Sequence, residues 1–289
     1  MREPVLSIVA AGVNTPATLD PWVSAIEPQL NQHDVEAVLV CPHQDAASRQ
    51  KTSQSFVVLT VPAGSLVPTM WATGLQHARG SIVAFTITAC TPASDWVRSI
   101  VAAHAKPHAA IGGVIDHAPD AGLVDRALHL VRYTPYLSPQ SPGVVREIAG
   151  DNGAYKRTAL APWAADISRD GFWEAEINRR LRAAGQELWL DPRIRVTHAH
   201  SYSAAAFMRQ RFVHGRIFGR QRRRELSAAQ RLLRLALASV VPAVMLVRNV
   251  RTVSARGRLD SRTVAAAPLA LWFLTCWAAG EAAGLLGGG

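Results

Sequence analysis

Short apolar runs alternate with amphipathic stretches over the first two hundred residues. The runs predict β-strands, at 5–11, 35–41, 56–61, 81–86 and 109–115. The stretches carry apolar residues every three or four positions and predict helices, at 18–30, 67–78, 94–104, 121–132 and 172–184. Strands that alternate with helices indicate an α/β domain, with a mainly parallel sheet and helices on both faces.

Two further elements complete this part of the chain. Residues 150–158 begin with a turn composition and lead into a strand or a short helix. Residues 187–196 predict a last strand that contains Pro192. Because proline has no N–H to donate to a neighbouring strand, we expect an edge strand there.

The pattern changes after residue 200. Residues 204–225 predict a helix with arginines on one face, and two apolar segments follow at 235–247 and 263–280. Arginines outnumber acids fourteen to two between Arg209 and Arg262. We therefore predict two domains, an α/β domain over 1–205 and a basic, helical, membrane-associated region over 206–289.

The two apolar segments differ in what they predict about a membrane. A spanning helix needs about 20 apolar residues, which 263–280 approaches and 235–247 does not. Arginines flank the shorter segment on both sides, against the positive-inside tendency. We expect the first segment to be interfacial or re-entrant and the second to be spanning or interfacial. The alternative is a soluble helical appendage that buries both segments.

Composition narrows the functional classes. The chain has 289 residues, a net charge of +10, and 49% hydrophobic residues, enough for a sizeable core. Its three scattered cysteines argue against a disulfide framework and a structural zinc site, and they favour a reducing compartment. The first residues run into a strand without a signal-peptide pattern. The arginine block lacks interleaved aromatic residues, so we expect no nucleic-acid partner.

Four segments carry candidate chemistry. The first strand ends in the small-residue loop Ser7-Ile8-Val9-Ala10-Ala11-Gly12-Val13-Asn14, which lets backbone groups approach a ligand closely. The second is the helix, turn and strand Gly74-Leu75-Gln76-His77-Ala78-Arg79-Gly80-Ser81-Ile82-Val83-Ala84-Phe85-Thr86. The third is Gly150-Asp151-Asn152-Gly153-Ala154-Tyr155-Lys156-Arg157. The fourth begins Gly171-Phe172-Trp173-Glu174-Ala175-Glu176 and ends at Gly185.

In this order the four segments resemble those of family 2 glycosyltransferases with the GT-A (Rossmann-like) fold. The resemblance covers roughly residues 5–220. It implies a nucleotide diphosphate sugar as donor and a lipid-linked or polysaccharide acceptor. It also implies that the sugar is transferred with inversion at the cytoplasmic face of a membrane, to which the C-terminal segments attach peripherally or as an anchor.

The resemblance also assigns roles to residues. Ala10 and Asn14 lie in the loop that receives the nucleotide, and Asp151 and Asn152 lie beneath the donor sugar. Trp173 is placed to stack on a sugar ring. Glu174 takes the place of the general base that deprotonates the acceptor hydroxyl. The alternatives are an Asp-Asn-Gly turn and a helix N-terminal acid that meets the macrodipole.

The family's metal-binding acids are missing. A short acidic motif there holds Mg²⁺ or Mn²⁺ against the diphosphate, but 86–90 has no carboxylate. His198 resembles a histidine that completes the metal site in related enzymes; its other readings are a phosphate contact and a structural role. Arg211 lies in a segment that resembles an arginine-bearing stretch near the diphosphate, where its charge would partly replace the metal. The alternative is a membrane-facing basic helix.

Two functions therefore remain open from the sequence. One is an inverting glycosyltransferase with an atypical or lost metal site. The other is a non-catalytic GT-A relative that serves as a scaffold or regulatory partner within a membrane glycan-synthesis complex. The missing acids motivate the second, because a diphosphate leaving group needs compensating charge.

Overall fold

The structure is a computed structural model that describes residues 3–30, 34–42, 56–200, 202–223 and 226–287. The chain forms two compact units. The first combines Met1–Ala118 with Tyr136–Ser201, and the second combines Pro119–Pro135 with Tyr202–Gly289. Residues 119–135 thus belong with the C-terminal residues, although they lie inside the predicted α/β stretch. The domain boundary after residue 205 stays a prediction.

The first unit contains one sheet, which has nine strands within the described residues. They are β1 (Leu6–Ala11), β2 (Val35–Pro42), β3 (Phe56–Val61), β4 (Ile82–Ile87), β5 (Cys90–Pro92), β6 (Ala110–His117), β7 (Gly143–Val145), β8 (Asn152–Lys156) and β9 (Leu188–His198). Their order is β3-β2-β1-β4-β8-β6-β9-β5, and β7 also pairs with β9.

The helices follow the apolar periodicity closely. They are α1 (Thr15–Leu30), α2 (Val67–His77), α3 (Trp96–His104), α4 (Leu123–Arg132), α5 (Arg157–Leu160), α6 (Ala164–Asp170), α7 (Glu174–Ala183), α8 (Ala204–Arg223), α9 (Ala228–Leu237), α10 (Val241–Ala255) and α11 (Ser261–Leu286). The helix predicted over 204–225 is confirmed as α8 as far as Arg223, and its last two residues lie outside the described residues.

The predicted α/β fold class is confirmed. The order β3-β2-β1-β4 is parallel throughout, and every residue of β1 and β4 is buried, as expected for strands covered on both faces. Beyond β4 the sheet becomes mixed, because β8 runs antiparallel to β4 and β6. The C-terminal end of β4 therefore faces the N-terminal end of β8, where Thr86 pairs with Asn152.

The edge-strand prediction for 187–196 is wrong. Strand β9 lies between β6 on one side and β5 and β7 on the other. Pro192 is tolerated because the pairing with β6 shifts register there: Leu190 pairs with Gly112, whereas Arg195 pairs with Val114. On the opposite side, Pro192 falls between the residues paired with β7 and those paired with β5. A proline at such a break removes no ladder hydrogen bond.

Helices form the second unit, and α8 contacts α11 through glycines. Gly215 and Gly219 on α8 face Gly280 and Gly284 on α11, each pair being four residues apart. A Cβ at Gly219 would meet the carbonyl of Glu281 and lie 3.1 Å from the Gly284 Cα. The two backbones are therefore in direct contact, which small residues at this spacing allow both in water and in membranes.

One helix of the second unit is long and apolar enough to cross a membrane. Within the described residues, α11 alone is long and apolar enough to cross a bilayer, and α9 with α10 qualifies only as a pair bent by 66°. The predicted segment 263–280 lies within α11. Large apolar side chains are exposed on all three helices, at Leu232, Leu233, Leu237, Val244, Met245, Val247, Val264, Trp272 and Leu286.

The glycine contact can be tested by substitution. We expect Gly219→Leu to destabilise the protein by at least about 2 kcal/mol, because α8 and α11 must separate to admit the side chain. Thermal unfolding of the full chain, followed by circular dichroism, measures this change. Ala205→Leu, at an exposed position of the same helix, should have little effect. Equal melting temperatures for the two variants would contradict the backbone contact.

Candidate active site

Four aromatic side chains form a buried cluster at the centre of the first unit. Trp71 comes from α2, Phe85 from β4 and Tyr155 from β8, and Phe172 immediately precedes Trp173 and α7. The rings of Phe85 and Phe172 stack with centroids 4.1 Å apart, and Tyr155 meets Phe172 edge-on at 5.3 Å. Each such pair contributes roughly 0.5–1.5 kcal/mol beyond burial. The cluster thus anchors the start of α7 to the sheet.

The loop before α7 is also held by the backbone. Gly171 has φ +93°, a conformation that favours glycine, and a Cβ there would lie 3.2 Å from Pro68. The amide of Phe172 donates to the Pro68 carbonyl at 2.8 Å. These contacts fix the position at which α7 begins, and Glu174 is its first residue.

Glu174 lies against the loop that contains the Asp-Asn-Gly motif. A Cβ at Gly150 would lie 2.6 Å from the indole of Trp71 and 3.2 Å from the Glu174 Cβ, so only glycine fits there. The side chain of Asn178, one turn further along α7, donates to the Ile148 carbonyl at 2.9 Å. The third and fourth segments, which are separate in sequence, are therefore in contact.

The carboxylate of Glu174 lies close enough to the buried Tyr155 phenol to affect its ionisation. Burial raises the pKa of Tyr155 well above its usual value, and the carboxylate of Glu174 raises it further. The hydroxyl of Tyr155 is buried and makes no hydrogen bond within the part of the chain that the structure describes. Glu174 is half-buried, and Trp173 precedes it with its indole N–H donated to the Asp170 carbonyl at 2.8 Å.

The neighbouring acid on the same helix differs. Glu176 accepts hydrogen bonds from Arg179 at 2.7 Å and from Arg180 at 2.7 Å. These two guanidinium groups outweigh partial burial and lower the pKa of the Glu176 carboxyl. Glu176 is thus part of an ion-pair network on the surface of α7.

Asn152 is used inside the fold. Its Oδ1 accepts a hydrogen bond from the Trp96 indole at 2.8 Å. Its Nδ2 donates to the carbonyls of Val114 at 2.9 Å and Ile194 at 3.1 Å. Both amide hydrogens are therefore engaged, and the residue is only 1% exposed. Its amide joins β8, β6, β9 and α3, and a contact between Asn152 and a sugar stays a prediction.

Two other predicted substrate contacts are also buried. Asp151 is 2% exposed and precedes Asn152 at the start of β8. Ala10 is fully buried in β1, where it pairs with Leu39 of β2 and Thr86 of β4. Their roles stay predictions, and a ligand would have to approach them through backbone groups or after a local rearrangement.

The segment 86–90 lacks carboxylates and is also buried throughout. The Thr88 hydroxyl accepts a hydrogen bond from the Val13 amide at 3.0 Å and lies 2.8 Å from the Thr18 hydroxyl. Thr88 therefore ties β4 to the loop between β1 and α1. In this chain the position of the family's acidic motif has a structural role.

The described residues do not fit the expected metal. His198 is fully buried at the end of β9, where Cys90 and His117 are its register partners. Mg²⁺ and Mn²⁺ prefer oxygen ligands, and 86–90 supplies no carboxylate. Nowhere in the described ranges do three His, Cys, Asp or Glu side chains gather closely enough to hold an ion. These residues therefore provide no set of ligands that would hold a divalent metal ion.

The loop after β1 closes onto the end of β9. The Asn14 Nδ2 donates to the His200 carbonyl at 2.5 Å, and both residues have positive φ, of 51° and 55°. Asn14 is exposed and accessible to a ligand. The structure thus brings Asn14 to the C-terminal end of β1, the side on which open α/β sheets bind ligands.

Arg211 belongs to α8 in the second unit. Its guanidinium carbon lies 5.8 Å from the centroid of the Phe207 ring on the same helix. Its predicted contact with a diphosphate stays a prediction.

Sequence reasoning missed the aromatic cluster. Phe85 and Tyr155 lie in two of the four segments with candidate chemistry, and Trp71 lies in the helix predicted at 67–78. In the sequence all three are members of apolar patterns, and nothing there marks them as supports of a site. The available signal was Gly150, because a glycine before a buried strand often marks a close approach. The partner of that approach, Trp71, lies 79 residues away and only the fold reveals it.

The comparisons with known proteins concern the fold. No protein-family model matches the sequence, and no curated protein matches it. One similar structure is the mannosyltransferase PcManGT from Pyrobaculum calidifontis in complex with GDP-Man and Mn²⁺, with 16% identity and a TM-score of 0.56. That alignment covers 96% of this chain and 86% of PcManGT.

A second similar structure is that of GalNAc-T7 with UDP, GalNAc and Mn²⁺, with 16% identity and a TM-score of 0.52. The alignment covers 70% of this chain, which spans only 45% of the GalNAc-T7 chain. These neighbours are GT-A glycosyltransferases, so the predicted GT-A fold is confirmed. Membership of family 2 stays a prediction.

The role of Asn152 can be tested through stability. Asn152→Leu would leave the Trp96 indole N–H and two carbonyls without their buried partner, so we expect the free energy of unfolding to fall by about 2–5 kcal/mol. Denaturant titration of the full chain measures it. Asn14→Ala, which removes an exposed hydrogen bond, should cost about 1 kcal/mol or less. If the Asn152→Leu variant were as stable as the unmodified protein, the buried hydrogen bonds of Asn152 would not support the fold, and a ligand-binding role would be favoured instead.

Proposed function

We propose that this protein is an inverting glycosyltransferase that uses a nucleotide diphosphate sugar as donor. The observation that carries the proposal is the position of Glu174, whose Cβ lies beside Gly150 at the start of the Asp-Asn-Gly loop. The GT-A fold supports the donor class, as do GDP-Man in the PcManGT structure and UDP with GalNAc in the GalNAc-T7 structure.

Glu174 would act as the general base. Its carboxylate takes the proton of the acceptor hydroxyl while the acceptor oxygen forms a bond to the anomeric carbon of the sugar. The bond between that carbon and the diphosphate oxygen breaks, and the nucleoside diphosphate leaves with the bonding electron pair. Attack from the face opposite the leaving group inverts the anomeric configuration, which requires only one carboxylate.

The half-buried position of Glu174 suits this role. Glu176 is neutralised by two arginines, whereas the charge of Glu174 is felt by the buried Tyr155 phenol. Charge on the departing diphosphate would be met by arginine, for which Arg211 is the candidate that the sequence offers.

We infer that the acceptor is lipid-linked or a polysaccharide and that transfer occurs at the cytoplasmic face of a membrane. The length of α11 and the exposed apolar side chains of α9 and α10 support attachment to a bilayer. Arginines alternate with those side chains, and each adds about 1 kcal/mol near an anionic surface. The protein would be peripheral or anchored by its C-terminal helices.

Replacing the base gives the sharpest test of catalysis. We expect Glu174→Gln to lower turnover by about 10²–10⁴-fold, because the amide cannot accept the proton, and to leave donor affinity nearly unchanged. Release of the nucleoside diphosphate, with a membrane extract as the source of acceptor, measures turnover. Glu176→Gln on the same helical turn is the matched control and should retain it. Turnover by Glu174→Gln at the normal rate would refute the assignment.

A second candidate function has its own supporting observation. The burial of 86–90 and its lack of carboxylates favour a GT-A domain that no longer catalyses transfer and serves as a scaffold or regulatory partner in membrane glycan synthesis. The two candidates differ in whether a nucleotide sugar binds at all.

Calorimetry with UDP- and GDP-sugars separates the candidates. For the enzyme we expect binding of at least one donor, with an affinity that changes less than tenfold when Mn²⁺ is replaced by a chelator, since the described residues offer no metal site. The scaffold binds none of the donors under either condition. Binding that requires Mn²⁺ would contradict our interpretation of 86–90.

A further inference from the structure

The second unit contains a cavity that the proposed transfer chemistry does not use. It has a volume of about 510 Å³ and lies among α8, α9, α10 and α11. Ligand pockets in proteins usually enclose about 300–1,000 Å³, so this one is large enough for a small molecule or for part of a lipid chain.

The wall of the cavity is mainly apolar. Leu233 and Leu237 of α9, Met245 of α10 and Trp277 of α11 contribute to it. Leu233 is 59% exposed and Leu237 is 44% exposed, so an apolar ligand that covers them would remove substantial hydrophobic surface from water. This composition favours a hydrocarbon chain over a nucleotide or a sugar.

The charged residues of the wall indicate which head group a ligand in the cavity would carry. Among the described residues that line the cavity, Arg222 and Arg234 are the basic ones and Glu281 is the one acid. Arg222 stacks on the Phe218 ring at 4.4 Å, and Arg234 lies 3.5 Å from the Glu281 carboxylate. That distance is long for an ion pair, and Arg234 keeps further N–H donors for an anion. Two cations against one anion leave a net positive charge beside an apolar wall.

We propose that this cavity binds a lipid phosphate, with the hydrocarbon chain against the apolar wall and the phosphate at Arg222 and Arg234. The chemistry is shared by isoprenoid phosphates and by anionic phospholipids of the bilayer. The proposal goes beyond sugar transfer, because lipid binding needs neither a donor nor Glu174. Its failure would leave the proposed function standing, and normal turnover by Glu174→Gln, which would refute the catalytic base, would leave this proposal untouched.

The first test measures binding to the full chain by native mass spectrometry from a non-ionic detergent. Four probes are compared: farnesyl phosphate, phosphatidic acid, farnesol and inorganic phosphate. We expect one equivalent of at least one lipid phosphate to bind at least tenfold more tightly than farnesol or inorganic phosphate. A preference for farnesyl phosphate or for phosphatidic acid identifies the source. Equal binding of farnesol and farnesyl phosphate, or no binding of either lipid phosphate, overturns the proposal.

Substitutions locate the site. Ala238→Trp fills the cavity and should weaken binding at least tenfold, whereas Ala236→Trp, at an exposed position of α9 outside the cavity wall, should not. Arg222→Gln and Arg234→Gln leave the apolar wall intact and should each weaken binding about tenfold. Arg231→Gln removes a charge from α9 outside the wall and is the control for non-specific attraction. Equal effects of the wall and control variants would overturn the site.

Glu281 distinguishes a phosphate from a cationic ligand. Glu281→Gln removes the repulsion of the phosphate and frees Arg234, so binding of the lipid phosphate should become several-fold tighter. Weaker binding in this variant would mean that the cavity selects a positively charged head group, and the proposal would fall. A shift of the protein to dimers that Ala238→Trp abolishes, without lipid binding, would identify the cavity wall as a protein interface instead.

Discussion

The contact between the Phe85 and Phe172 rings joins β4, in the middle of the sheet, to the loop just before α7. Trp71 and Tyr155 pack around this pair, and Gly150 rests on the Trp71 indole. Because the rings are large and rigid, they fix where the loop at Gly150 and the start of α7 meet. The position of the Glu174 backbone and Cβ is thus set by the core of the first unit.

The parts of the fold that depend on local periodicity were predictable from the sequence. The limits of β3 and the extent of α2 follow from runs of apolar residues and from their helical spacing. Pro192 led to the wrong prediction of an edge strand. A proline inside a strand indicates either an edge or a register shift, and only the pairing partners distinguish the two. The resemblance selects Glu174 by its place at the start of a predicted helix, which the structure has as the first residue of α7, and its role stays a prediction. The three hydrogen bonds of Asn152 could not be predicted, since their partners come from α3, β6 and β9.

The segment 86–90 is buried throughout and takes part in the packing of the first unit. A carboxylate at Thr88 would have to displace a hydroxyl that is hydrogen-bonded to the loop of Val13, in a fully enclosed position. An uncompensated buried charge is far costlier than a hydroxyl, so the present packing and an acidic metal site exclude each other. The threonine network keeps the β1–α1 loop attached to the end of β4.

The inclusion of residues 119–135 in the second unit bears on how the chain is made. Helix α4 leaves the ribosome well before α11, yet the buried guanidinium of Arg126 finds its carboxylate at Asp260, which caps α11. During synthesis α4 therefore emerges more than a hundred residues before the helix that covers it, and Arg126 stays hydrated until α11 packs there. Shortening the gene at the apparent end of the α/β stretch would remove both Asp260 and α11, and the face of α4 that α11 buries would stay open to water.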